Sequence, residues 1–171
     1  DLFYAATPTL GYEYDVTGIV TYSYGDFKVL PRDAADVIEI PVLTGETCAD
    51  PFVYGAVNDL PMAGDLVAGG HDWYSFTTDG SFQSITVSLC GSTGLGDSKL
   101  AVFDDCGDFV EWPSWGAPEG TIGYNDDGCG TGYLSELDLA GLAAGEYYVA
   151  VYGYSDSYAG VYELNITGVA D

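Results

Sequence analysis

The sequence predicts an all-β protein: a jelly-roll-like antiparallel β-sandwich carrying an N-terminal β-hairpin extension. Three observations predict it. Apolar and polar residues alternate with period two in many short segments separated by turn residues. Gly (24) and Tyr (15) are both abundant, which suits short strands, tight turns and aromatic cross-strand pairs. Helical periodicity is weak, and the nearest helical candidate, SELDLAGLAAG over 135–145, is cut by Gly141 and Gly145.

Residues 1–41 form a strand extension. YEYDVTGIVTYSYGDFKVLP holds two alternating runs, and Gly25-Asp26 between them suits a type II′ hairpin loop. Val20, Tyr22 and Tyr24 then share one face, with Phe27 and Val29 across the turn. A two-stranded hairpin is marginal alone in water. The tyrosines of this segment (Tyr12, Tyr14, Tyr22 and Tyr24) therefore need something to lie on: the rest of the chain, another domain or another copy.

Residues 42–171 form the sandwich. DWYSFT (72–77), ITVSL (85–89), KLAVFD (99–104), YLSELDL (133–139), EYYVAVYGY (146–154) and VYELNIT (161–167) read as strands. In EYYVAVYGY, Tyr147, Val149 and Val151 take one face, and Tyr148, Ala150 and Tyr152 the other.

Charge excludes whole classes of function. Asp and Glu total 27 against 3 Lys and Arg, a formal net charge of −24. Such a surface repels phosphate, which argues against nucleic acid and anionic membranes. No apolar run approaches the roughly 20 residues of a membrane helix, so membrane insertion is not expected. The acidity suits cations, a salty medium or simple solubility. The four cysteines, Cys48, Cys90, Cys106 and Cys129, lack C-x-x-C spacing. They read as two disulfides in an oxidising compartment, with three pairings open. The chain begins at Asp1 without Met, as a processed product or fragment would, and export to the outside of the cell or its surface fits.

Several stretches occur in an order that resembles the bacterial pre-peptidase C-terminal domain and its cysteine-bearing relatives. They are ETCADPFVYG (46–55), HDWYSF (71–76), ITVSLCGS (85–92), DSKLAVFDDC (97–106), YNDDGCG (124–130) and LAAGEYYVAVYGYSDSYAGVYELNI (142–166). The resemblance spans residues 46–168. It implies a secreted, non-catalytic β-sandwich that often binds calcium and accompanies peptidases or surface proteins. Under it, Cys90 and Cys129, which flank the acidic loops, pair with each other, leaving Cys48 with Cys106. The chain departs from the pattern in a longer insert, EWPSWGAPEG (111–120), in Tyr124 where relatives often carry Cys, and in Gly70-His71 where another cysteine often stands. Residues 10–41, around DVTGIVTYSYGDFKVLPR, resemble the tail of an OB-like domain of some secreted nucleases and surface proteins.

Calcium takes six to eight oxygens from carboxylates, amides and backbone carbonyls. Asp97 opens one strand and Asp104 and Asp105 close it; Asn125, Asp126 and Asp127 follow in a later loop, which the resemblance brings close to the first. The expected structural Ca²⁺ site is Asp97, Asn125, Asp126 and Asp127, with Asp104 or Asp105 subsidiary. Asp and Asn also favour turns with no ion bound. The spacing is not that of an EF-hand.

Catalysis has little to stand on. GDSKL (96–100) is superficially similar to the GDSL esterases, but a serine nucleophile needs an acid and a histidine. The single histidine, His71, lies upstream beside a strand, and Ser98 reads as a strand-edge residue. Crowded turn acids do not make a glycosidase pair. Binding has better candidates: Trp73 reads as core, whereas Trp112 and Trp115, in the proline-containing insert, could contact a polysaccharide or protein. The leading expectation is a calcium-stabilised extracellular structural subunit that forms a homo-polymer or filament through its N-terminal strands. The alternative is an accessory carbohydrate- or protein-binding domain of a secreted hydrolase.

Overall fold

The computed structural model describes residues 13–31, 36–40, 44–106, 116–130 and 132–170. The chain divides into two compact units, residues 1–43 and 44–171.

In the first unit, β1 (Glu13–Val16) pairs antiparallel with β4 (Val37–Ile40), and β2 (Ile19–Ser23) with β3 (Asp26–Leu30). The hairpin turn differs from expectation by one residue. Ser23 faces Asp26, so the loop is Tyr24-Gly25, and both residues have positive φ, 56° and 91°. Positive φ at both loop positions is the type I′ pattern, whose twist matches that of the flanking strands. Tyr24 therefore sits at the tip rather than on a strand face. Tyr22 faces Phe27 and Val20 faces Val29, with the two aromatic rings 5.0 Å apart.

The second unit is the sandwich. Its strands are β5 (Phe52–Ala56), β6 (Met62–Leu66), β7 (His71–Thr78), β8 (Phe82–Ser88), β9 (Ser98–Phe103), β10 (Gly123–Asn125), β11 (Glu136–Ala140), β12 (Gly145–Gly153) and β13 (Gly160–Ala170). One sheet has the order β10-β9-β12-β7-β5 and the other β11-β8-β13-β6. All named pairs in both sheets are antiparallel except β5 with β7, which run parallel with a register shift between Val53 and Gly55. The helical candidate over 135–145 is instead β11 and the turn after it, because β11 finds a partner in β8 and places Leu137 and Leu139 in the core.

The core lies between the sheets. Tyr74 and Phe76 of β7, Leu100 and Val102 of β9, and Val149 and Val151 of β12 meet Ile85 and Val87 of β8 and Leu164 and Ile166 of β13. Period-two alternation makes this possible, because each strand commits one face to the interior. A second, smaller cluster covers the outer face of the five-stranded sheet: Trp73, Ala101, Phe103, Ala150 and Tyr152. Trp73 packs on Phe103 with ring centroids 5.3 Å apart. Both faces of β12 are thus occupied, as its two apolar faces require.

Two disulfides brace the sandwich, Cys48–Cys106 and Cys90–Cys129. Cys48 packs against the outer cluster, and the Trp73 N–H donates to the Gly45 carbonyl at 2.7 Å, so the 44–50 segment is tied to that face. Inside the core, Tyr162 donates to the Asp72 carboxylate at 2.6 Å, and Tyr74 donates to the Tyr162 hydroxyl at 2.6 Å. This chain of bonds joins β7 of one sheet to β13 of the other. Burial raises the Asp72 carboxyl above its ordinary value, although the Tyr162 hydrogen bond works against that rise. Gly64 on β6 leaves room for the Tyr162 ring, which a Cβ at that position would overlap.

Candidate functional site

Asp97 precedes β9 and is held from two sides. The Ser98 N–H donates to the Tyr133 carbonyl at 3.0 Å, and the Tyr154 N–H donates to the Asp97 carbonyl at 3.4 Å. Asn125 ends β10, and its side-chain oxygen accepts the Asp127 N–H at 2.7 Å, closing a local turn around Asp126. The Gly128 and Cys129 N–H groups both donate to the Leu134 carbonyl, and the Cys90–Cys129 bridge fixes the loop to the other sheet's margin. Gly128 is required there, since a Cβ would strike the Glu136 backbone.

These elements bring Asp97, Asp126 and Asp127 within electrostatic reach of one another. Burial raises the Asp97 carboxyl first, and Asp126 and Asp127 raise it further, while Lys99 opposes them. Burial also raises Asp126; Lys99 lowers it and Asp127 raises it. The hydroxyl of Tyr124 is pushed up to about 12 by burial and then by Asp126, Tyr154 and Asp127. Two atoms of this corner are buried without a hydrogen-bond partner: Asp126 Oδ1 and the Tyr124 hydroxyl. A buried, unpaired carboxylate oxygen is costly, and a cation is one thing that would satisfy it.

The corner suits a hard cation in part. Its donors are carboxylate oxygens, the type Ca²⁺ prefers, and Asp126 Oδ1 is unsatisfied. Asn125 has its oxygen engaged by Asp127. No group of three His, Cys, Asp or Glu converges on one point among the described residues. Asp97 and Asp126 are therefore the pair that would hold an ion, with backbone carbonyls and water to complete its shell. Asp104 and Asp105 lie elsewhere, exposed at the opposite end of β9.

Ser98 is fully buried; its hydroxyl accepts the Ser135 N–H at 3.0 Å, and Ser135 donates back to the Ser98 carbonyl. Ser98 faces Gly153 across β12, whereas Tyr152 faces His71 and Lys99. Successive residues alternate sides, so Ser98 and His71 lie on opposite faces of the sheet and cannot act as nucleophile and base. Trp73 is buried in the outer cluster. Tyr22 and Tyr24 are exposed, Tyr14 faces Glu39 across β1 and β4, and Tyr12, Trp112 and Trp115 lie outside the described residues.

One arrangement was not read from the sequence. His71, Tyr152 and Lys99 stand in a row across β7, β12 and β9 on the outer face of the five-stranded sheet. The signal was present in composition, because Lys99 and His71 are the one lysine and the one histidine of residues 44–171, which contain no arginine. Their juxtaposition depends on strand order, which no local pattern encodes.

The fold and the two disulfides define a class: a β-sandwich module of an oxidising compartment, periplasmic or extracellular. No helix among the described residues is long and apolar enough to cross a membrane. In comparison with solved structures, the chain is similar to the pre-peptidase C-terminal domain of collagenase from Bacillus anthracis, at 21% identity and a TM-score of 0.45, over 68% of this chain and 96% of that one. It is also similar to Aeromonas hydrophila PliG, a periplasmic lysozyme inhibitor of g-type lysozyme, at 18% identity and a TM-score of 0.37, over 68% of this chain and 99% of that one. No protein-family model and no curated protein matches the chain.

Proposed function

We propose that the chain is a non-enzymatic extracellular structural module that associates with copies of itself through its N-terminal strands, with a divalent cation, calcium by its chemistry, steadying the Asp97–Asp126 corner. The observation that carries the reading is the face of the β2–β3 hairpin. Val20, Tyr22, Phe27 and Val29 share that face, and all four are exposed. Among the described residues β2 and β3 pair only with each other, and the edges of such a ribbon present backbone donors and acceptors to a neighbouring strand. Aromatic faces of this kind are good interface material. Repeated head to tail without closure, such a contact builds a filament.

The cation reading is supported by the unpaired Asp126 Oδ1 and by the mutual repulsion of Asp97, Asp126 and Asp127. Bound calcium would neutralise that repulsion; the chain's residues would bind and orient it, and the Cys90–Cys129 bridge would hold the loop in place.

Negative-stain electron microscopy of the purified protein, with calcium and with EDTA, tests the assembly reading. Ordered polymers are expected at high protein concentration, and removal of residues 1–41 should abolish them. Dispersed single particles in every condition would refute self-association. Calcium is tested separately by thermal melts. A ligand bound only to the folded state raises stability by about 2.7 kcal/mol at a hundredfold excess over its dissociation constant. An unchanged melting temperature in EDTA would remove the ion from the account.

A further inference from the structure

We infer that the sandwich binds an uncharged saccharide in the cavity bounded by His71, Lys99, Tyr152, Tyr154, Asp156 and Ser157. This site goes beyond the self-association reading and is independent of it.

The cavity has a volume of about 520 Å³, within the roughly 300–1,000 Å³ usual for small-molecule sites. The sheet builds its floor. The row His71–Tyr152–Lys99 crosses three adjacent strands on one face. The turn after β12 supplies Tyr154, Asp156 and Ser157, and Gly69 and Gly70, before β7, form another part of the wall. The floor lies on β9 and β12, interior strands of the five-stranded sheet, and Lys99 is itself buried.

Charge decides what the cavity can take. The one lysine and the one histidine of the sandwich unit, Lys99 and His71, line it. That gathers N–H donors at one place on an otherwise acidic surface. Each already has an acidic counterpart. Lys99 acts on Asp97 and Asp126, and its ammonium sits 4.6 Å from the centre of the Tyr154 ring. His71 faces the charge of Asp156, and burial, the larger effect, holds its imidazole toward the neutral form. Little positive charge remains to hold an anion, and the net charge of −24 repels polyanions at long range.

The remaining chemistry is mixed. The Ser155 and Ser157 hydroxyls bond each other at 2.9 Å and keep one O–H between them to donate; Lys99 and His71 carry N–H groups, the Asp156 carboxylate accepts, and the half-buried rings of Tyr154 and His71 offer apolar surface. Tyr152 and His71 are in ring contact at 5.5 Å. A neutral sugar matches this combination: its hydroxyls both donate and accept, and its C–H faces pack on aromatic rings. Asp156 and Ser157 are exposed at the mouth, where a polymer chain could pass.

The single histidine makes the test direct. Its ring resonances report on the cavity floor with no overlap from other histidines. The full chain would be titrated with neutral oligosaccharides of the gluco, malto and chito series, with oligogalacturonate and an acidic peptide as charged probes. Saturable shifts of the His71 signals by one of the neutral series are expected, weakened about tenfold or more, or about 1.4 kcal/mol, by Asp156→Ala and by Ser157→Ala. Both substitutions are at exposed positions, and a thermal melt of each variant confirms that the fold is kept. The proposal is overturned if no neutral sugar moves the signals at millimolar concentration. It is equally overturned if only the charged probes bind, or if both variants bind as the parent does.

Discussion

In the sandwich, β9 is buried along its whole length and β12 is covered on both faces. In the β2–β3 hairpin, Val20, Tyr22 and Phe27 remain 65%, 63% and 79% exposed. The strands of both regions carry the same period-two alternation and much the same residues. The difference is in what they face. Every sandwich strand faces the second sheet on one side, and on the other side the middle of the five-stranded sheet carries the outer cluster against which Cys48 packs. Among the described residues, each pair in the first unit forms a sheet of two strands, and a two-stranded sheet has too little apolar burial to be stable by itself in water. Alternation thus shows that a strand has an apolar face; whether the same chain covers that face depends on how many strands share the sheet.

The contrast can be broken most forcefully in the core. Phe76→Ala should cost about 3–5 kcal/mol, the usual range for removing a fully buried phenylalanine, as read from chemical denaturation. A loss below about 1 kcal/mol would mean that the two sheets do not pack as described. Next comes the bonded chain between the sheets. Tyr162→Phe strands the Tyr74 hydroxyl and the Asp72 carboxylate and should cost about 1–3 kcal/mol. Gly64→Ala forces the Tyr162 ring to move and should cost about 1–3 kcal/mol as overpacking. Because both act on one ring, their effects should fall short of additive in the double variant.

The acidic corner gives a smaller effect with a definite sign. Asp97 and Asp126 have raised carboxyl values in the folded state. Their protonation therefore favours folding: this contribution is full below the ordinary carboxylate value of about 3.9 and is lost as pH rises through the raised values. In EDTA, melting temperatures should rise on acidification from neutral pH toward that range, and Asp126→Asn should flatten the rise. A melting temperature that falls throughout the same interval, with no difference in the variant, would show that neither burial nor mutual repulsion raises these carboxyls in the folded state. The smallest stability effect belongs to the hairpin. Phe27→Ser should change the unfolding free energy of the monomer by no more than about 0.5 kcal/mol, as for an exposed position. A core-sized cost in dilute monomer would show that its face is covered within the chain.

Legibility followed the same division. Strands β7, β8, β9, β11, β12 and β13 stand out because each alternates apolar and polar residues or is apolar on both faces. β6, MAGDL, has no β-branched or aromatic residue, and β10 is only Gly-Tyr-Asn; both are strands because neighbours pair with them. β5 was hidden for another reason, since its pairing with β7 is parallel and interrupted at Gly55, where φ is 108°. The hairpin was legible except for its loop, because Tyr24 adopts a positive φ that Gly would ordinarily supply. In the corner, the proximity of Asp97 to Asp126 and Asp127 could be anticipated from the family resemblance. The row of His71, Tyr152 and Lys99 could not, because residues 28 and 81 positions apart meet only once the strand order is known.

Self-association through the N-terminal ribbon is the central claim, and sedimentation velocity across a wide range of protein concentration tests it most directly. The full chain should shift to larger species as concentration rises, and a Val20→Ser, Tyr22→Ser, Phe27→Ser variant should remain monomeric with an unchanged melting temperature. A parent protein that sediments as a monomer at every concentration, or a variant that assembles as the parent does, would contradict the account.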